Sequence, residues 1–215
     1  MRASEAILIV GLPSLRADRG PSGLTVATSG SGRGGDITVQ APRVELTTGA
    51  TITAASTGPG NAGNVTLTVG DTLQMQGHSA VTTTASQAKG GNISVTAATM
   101  VRLQESQITA SVGSGAGDGG NVTIDPEFIL LQGSQITANA VAGTGGRISL
   151  TASKAFLADP SSAVTASSTL GINGQVNIQA PVTSISGAVA PLPQAFAQTA
   201  ELLRDRCGER LRGAP

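Results

Sequence analysis

Gly120-Asn121-Val122-Thr123-Ile124, read on as far as Ile136-Thr137-Ala138, decides the fold, because the chain repeats this phrase. A glycine, then a polar residue, then an apolar–polar–apolar triplet recur. The other instances open at Gly35-Asp36, Gly63-Asn64, Gly91-Asn92, Gly146-Arg147 and Gly174-Gln175. Successive starts lie 28, 28, 29, 26 and 28 residues apart. A constant period of this size marks a stacked repeat, in which each unit leans on its neighbours and no single globular core forms.

Each unit adds two further apolar segments. The second is Val44-Glu45-Leu46, Leu73-Gln74-Met75, Val101-Arg102-Leu103, Ile129-Leu130-Leu131, Ala155-Phe156-Leu157 and, more weakly, Val182 to Ile185. The third is Ile52-Thr53-Ala54, Val81-Thr82-Thr83, Ile108-Thr109-Ala110, Ile136-Thr137-Ala138 and Val164-Thr165-Ala166. Alternation at period two over three to five residues marks strands with one buried face. Gly, Ser, Asn and Pro clusters such as Thr57–Asn61 and Ser111–Asp118 separate them and supply turn chemistry. No unit holds a helix-period stretch, which excludes leucine-rich, ankyrin and helical solenoids. The expected fold is an all-β, parallel β-helix (β-solenoid). It has about six coils of about 28 residues, three short strands to a coil, and a length of roughly 29 Å at the spacing of neighbouring strands.

Composition agrees. There are three Phe and no Trp or Tyr among 215 residues, so the interior must be Val, Ile, Leu and Ala. The 29 glycines follow no three-residue period, which excludes collagen. Formal charge is zero and only 12% of residues are charged, so no footprint for nucleic acid or an anionic membrane is present. No apolar run approaches the ~20 residues that span a bilayer. Ala6–Leu12 is the longest apolar run near the start. Glu5 and the lack of a small-x-small cleavage site make it a short strand, with Ile7 and Ile9 on one face, or a remnant of an earlier coil, in preference to a signal segment.

Three regions are expected. Residues 1–33 read as a degenerate N-terminal coil or cap, with Leu15–Gly20 echoing a second segment and Leu24–Thr28 a third. Residues 34–191 carry the repeats. Residues 192–215 follow Pro191 and Pro193 and place Phe196, Ala200, Leu203, Cys207 and Leu211 on one helical stripe. An amphipathic helix covering the open end of the rod is expected there, since a bare sheet edge invites aggregation.

Candidate chemistry is sparse. Asn64, Asn92 and Asn121 match the glycosylation triplet, but the repeat alone places them in one column, where stacked amides can bond along the rod. Thr53, Thr82, Thr109, Thr137 and Thr165 form a hydroxyl column. His78, the only His, falls in a turn with no ligand-spaced partners. The Gly/Asp turns at Asp36 and Asp118 lack the nine-residue tandem of calcium-binding repeats. The remaining acidic residues of the repeat body are Glu45, Asp71, Glu105, Asp125, Glu127 and Asp159. They are scattered, with Asp125 and Glu127 the one close pair, so the clustered carboxylates of a polysaccharide-cleaving β-helix are not in evidence. For ice binding, Thr51-Ile52-Thr53 fits a two-column array, but Ala80, Gln107, Gln135 and Ala163 interrupt its first column. Cys207 excludes an internal disulfide and reads as a small buried hydrophobe or a partner contact. No catalytic, cofactor-binding or metal-binding residue is assigned, and the chain is expected not to be an enzyme.

The phrase Gly-Asn-Val-Thr-Leu/Ile followed by Leu-x-Leu-Gln-x-x-Ser-x-Ile-Thr-Ala, best seen in Gly91–Ala110 and Gly120–Ala138, resembles the large filamentous haemagglutinin-type adhesins of two-partner secretion. The resemblance covers about residues 15–190, and Leu202–Cys207 is similar to the Cys-bearing end of such proteins. It implies a right-handed β-helix, export through an outer-membrane transporter, a secreted or outer-surface location, and adhesion to a glycan or protein surface. The chain departs from the family in having no Asn-Pro-Asn-Gly secretion motif. It is therefore expected to be a C-terminal fragment or a degenerate member. The alternatives are a polysaccharide-binding or polysaccharide-cleaving β-helix, and ice or surface binding through the Thr column.

Overall fold

In the computed structural model residues 1–11 and 22–185 are described, and they form a β-solenoid of nineteen strands without a helix. The first rung holds β1 (Ala6–Val10) and β2 (Gly23–Thr28), and the second β3 (Ile37–Ala41), β4 (Arg43–Thr47) and β5 (Thr51–Ser56). The third holds β6 (Val65–Val69), β7 (Thr72–Met75) and β8 (Ala80–Ala85). The fourth holds β9 (Ile93–Ala97), β10 (Met100–Gln104) and β11 (Gln107–Thr109). The fifth holds β12 (Val122–Asp125), β13 (Phe128–Gln132) and β14 (Gln135–Thr137). The sixth holds β15 (Arg147–Thr151), β16 (Ala155–Ala158) and β17 (Ala163–Thr165), and β18 (Gln175–Gln179) and β19 (Val182–Ile185) begin a seventh.

Every third strand pairs in parallel, giving three sheets: one of seven strands from β1 to β19, and two of six, β2 to β17 and β3 to β18. The register joins like to like. Ile93 sits over Val65 and under Val122, and Val122 sits under Ile148. All four point inward and are at most 1% exposed. Val44, Leu73, Val101, Ile129 and Phe156 form a second inner column, and Ile52, Val81, Ile108 and Ile136 a third. One continuous apolar cluster therefore runs the length of the rod. Each such side chain contributes about 1.5–3 kcal/mol on burial, and only because rungs lie on both sides of it.

The first rung differs from the sequence reading. Its second segment is Ala6–Val10, paired with β4, whereas Leu15–Gly20 lies outside the described residues. Period-two alternation explains the choice: Ile7 is buried, Ile9 is half-buried and Leu8 faces out. Met1–Ala3 completes the rung against β3, with Ala3 N–H donating to Gln40 O at 2.9 Å and Gln40 N–H to Met1 O at 2.9 Å. The expected terminal helix and Cys207 also lie outside the described residues.

Candidate functional site

Chemistry on a rod of this kind gathers at its corners, where chain leaves one sheet for the next. The corner ahead of β3, β6, β9, β12 and β15 carries the asparagine column, and its bonding differs from an amide-to-amide stack. Each side-chain carbonyl accepts from the backbone of the next rung. Asp36 Oδ1 accepts from Asn64 N at 2.7 Å, Asn64 Oδ1 from Asn92 N at 2.9 Å, Asn92 Oδ1 from Asn121 N at 3.0 Å, and Asn121 Oδ1 from Arg147 N at 3.0 Å. The glycine before each of Asn64, Asn92 and Asn121 lies against the carbonyl of the glycine one rung below, where a Cβ would not fit. A second column stands beside the first. Asn61 Oδ1 accepts from Lys89 N at 3.1 Å, and Lys89 Nζ lies 3.3 Å from Asp118 Oδ2. Asp118 Oδ1 accepts from Thr144 N at 3.0 Å. That backbone bond first, and Lys89 second, hold the Asp118 carboxyl below its usual range. A shallow depression of about 650 Å³ lies between the columns, lined by Lys89, Asn92, Asp118, Asn121, Arg147 and Gln175.

The opposite corner, between the β1–β19 sheet and the β2–β17 sheet, holds a groove of about 620 Å³ along the rod. Gln76, Gln104 and Gln132 supply one amide per rung, and Glu105, Asp159 and Ser161 complete its polar wall. Arg102 Nη2 donates to Gln132 Oε1 at 3.3 Å, and Gly133 N–H donates to Asp159 at 2.9 Å. Ser162 Oγ donates to Asp159 Oδ1 at 2.6 Å. That hydroxyl first among several donors keeps Asp159 below the ordinary carboxylate value. The turns here are left-handed, with Thr48, His78 and Glu105 at φ 54°, 62° and 46°. His78 is an exposed turn residue.

Sequence reasoning did not find this groove, and it missed a column beneath it. Ser79, Ser106 and Ser134 are buried. Their hydroxyls donate to the carbonyls of Gln76, Gln104 and Gln132 at 2.7, 2.7 and 2.8 Å. Ser134 Oγ also accepts from Ser106 N at 3.2 Å. The signal was a Ser two residues before Val81, Ile108 and Ile136, the inward residues of the third segments in the third to fifth rungs. Nor did linear spacing reveal that Glu105 and Asp159 face one groove. Asp125 and Glu127, close in sequence, serve different surroundings: Asp125 is exposed on β12, whereas Glu127 pairs with Lys154 at 2.8 Å.

Among the described residues no group of three or more His, Cys, Asp or Glu is placed to hold a metal ion, and no helix is long and apolar enough to cross a membrane. Comparison with protein-family models, with curated proteins and with solved structures returns no match. The functional reading therefore stands on geometry and on the repeat phrase.

Proposed function

We propose that the chain is a non-catalytic structural and adhesive segment of a filamentous haemagglutinin-like protein, held at the outer cell surface or released. One observation carries this reading: six turns share one unbroken core, while the polar groups outside it lie in shallow axial columns with their hydrogen bonds largely satisfied by the next rung. Such a rod resists bending and offers a repeated surface to a glycan or protein partner. The repeat phrase supports export by an outer-membrane transporter. Two measurements test the reading. Surface proteolysis of intact producing cells should clip the chain, and beads coated with it should be retained on glycan- or protein-coated surfaces. Protection of the chain in intact cells, together with no retention, would overturn it.

A second reading, a polysaccharide-binding or polysaccharide-cleaving β-helix, is favoured by the corner groove. Glu105 and Asp159 line it two rungs apart, about 10 Å by the strand spacing. Inverting hydrolysis uses carboxyls roughly 6.5–9.5 Å apart, one of them kept protonated. The Glu105–Asp159 separation lies at or beyond the upper end of that range. The groove thus suits binding better than cleavage. A glycan array run beside an assay for new reducing ends and for uronate lyase products separates the two.

A further inference from the structure

We propose that the outer face of the β1–β19 sheet, over its last four strands, is the docking surface for the chain's own residues 192–215, which lie outside the described residues. Alternation along β10, β13 and β16 turns Met100, Phe128, Leu130 and Leu157 outward. The register sets Val182 of β19 in line with Ala155, Phe128 and Met100. Met100, Phe128 and Leu130 are half-buried, Leu157 is 37% exposed and Val182 55%. Five large apolar side chains thus share one outer surface. Nearer the start of the same sheet the outward places are polar. From the second rung on, one outward column runs Glu45, Gln74, Arg102, Leu130, Leu157.

Stacking does not require this change. It demands apolar residues inside, where each side chain lies between two neighbouring rungs, and makes no such demand on outward positions. A single exposed apolar residue needs no explanation, whereas a contiguous group rimmed by polar residues marks a contact surface. The cations at this rim are turned to partners of their own. Lys154 Nζ pairs with Glu127 at 2.8 Å and lies 5.5 Å from the centroid of the Phe128 ring. Arg102 Nη2 donates to Gln132 Oε1 at 3.3 Å. The middle of the patch is left to apolar contact.

Position, length and pattern name the occupant. β19 ends at Ile185 and is the last strand of this sheet, so the chain leaves from the edge of the patch. Phe196 stands eleven residues on, a reach of at most about 36 Å, which is enough to fold back over the face. From there Phe196, Ala200, Leu203, Cys207 and Leu211 fall on one helical stripe, and Glu201, Asp205 and Glu209 fall on the opposite side. Phe196 to Cys207 would rise about 16 Å along a helix, and the strands from β10 to β19 span about 14 Å. The open end of the rod also shows apolar side chains, Val176 among them. Those are inward residues of the repeat, which meet solvent at the last rung of any such rod. Phe128, Leu130 and Leu157 have no such cause. The proposal does not rest on the adhesive reading; it takes this one face away from the surface open to a partner.

Cys207 is the chain's only cysteine, so one introduced thiol reports what lies beside it. Met100→Cys, Leu130→Cys and Leu157→Cys are compared in the full chain with two controls, Thr123→Cys, exposed on β12, and Val176→Cys at the open end. Oxidised glutathione takes up the two electrons and two protons as each disulfide closes. Circular dichroism checks each fold, and mass spectrometry counts the free thiols of the monomer. The expected result is an intramolecular disulfide in at least one patch variant, formed at least severalfold faster than in either control. Closure of Val176→Cys as fast as the best patch variant would return the segment to the open end and overturn the proposal. So would a disulfide-linked dimer in place of the intramolecular bond, which would give the patch to a second copy, and so would patch variants that close no faster than Thr123→Cys. Leu130→Asp and Leu203→Asp, alone and together, keep the test open should a cysteine variant fail to fold. Once either change undocks the segment the other has little left to disturb, so the shift of urea midpoint in the pair should be clearly smaller than the sum of the single shifts. Additive shifts would overturn the proposal.

Discussion

Gly120 lies directly over Gly91, so that a Cβ on Gly120 would fall inside the carbonyl oxygen of Gly91. The same overlap recurs at Gly63 over Gly35 and at Gly146 over Gly120. The glycine that opens each repeat after the first is thus set by the approach of two backbones at a corner, whereas Gly35 meets the Val26 side chain. Gly120→Ala must push the fifth rung off the fourth, and a cost of more than about 2 kcal/mol is expected, in the range of other overpacking changes. Gly30→Ala is the matched control, because nothing lies within 4 Å of a Cβ there. Urea denaturation of both variants should show a large shift of midpoint for the first and almost none for the second.

Glu105 adopts φ 46°, and the residue one rung above it in the same turn, Gly133, adopts φ 57°. A side chain in this left-handed region costs roughly 1–2 kcal/mol, and glycine returns about 0.4–1 kcal/mol of that through the freer unfolded chain. Glu105→Gly should therefore raise stability by about 0.5 kcal/mol on the difference of these terms. A lower denaturation midpoint would mean that the Glu105 side chain makes a contribution outweighing its backbone strain.

The rungs and their inward residues were legible because parallel stacking forces like onto like: a period near 28 and an alternating triplet admit one register. The Asn column was legible as a column but not in its bonding. Linear sequence does not show that the corner glycine brings the next N–H within reach of a side-chain carbonyl. The Glu105–Asp159 groove was hidden for another reason. The turn after the second strand varies in length, from Glu105-Ser106 to Asp159-Pro160-Ser161-Ser162, so its acids do not align from repeat to repeat. The second segment of the first rung was sought at Leu15–Gly20, whereas Ala6–Val10 is the strand that pairs with β4.

Acid should loosen the corners before the core. Asp71, Asp118 and Asp159 are all held below the ordinary carboxylate value of 3.8. A folded-state pKa below the unfolded one adds stability that is fully present above the unfolded value. It is lost as pH falls through the folded value. Stability is thus expected to be flat at neutral pH and to decline below about pH 4. Asp118→Asn keeps an acceptor for Thr144 N–H and removes the titration. Its decline between pH 4 and 2 should be shallower than that of the wild type, with thermal melts across that interval as the measurement.

Position along the rod should govern the cost of a core cavity. Ile93 is 1% exposed and held between Val65 and Val122. Val176 is 39% exposed and pairs with Ile148 on one side. Ile93→Ala should cost about 2–5 kcal/mol, as other large-to-small changes in cores do. Val176→Ala should cost less than about 1 kcal/mol, since it removes less side chain and a sizeable part of that side chain already meets solvent. Equal losses at the two sites, read from denaturation midpoints, would contradict the nearest-neighbour account of the rod.

The asparagine ladder yields the sharpest separation of shape from charge. Asn92 Oδ1 accepts the Asn121 N–H at 3.0 Å, and the same role at the foot of the ladder belongs to the carboxylate of Asp36. Asn92→Ala leaves that N–H to water at an exposed corner, so the loss should be about 0.5–1 kcal/mol, the net worth of one hydrogen bond. Asn92→Asp keeps the acceptor and should match the wild type at pH 7. Its added stability term should then vanish in acid, because a protonated carboxyl is a poorer acceptor for a backbone N–H. If Asn92→Ala and Asn92→Asp instead unfold at the same urea concentration at pH 7, the column owes its asparagines to something other than the bond to the next rung.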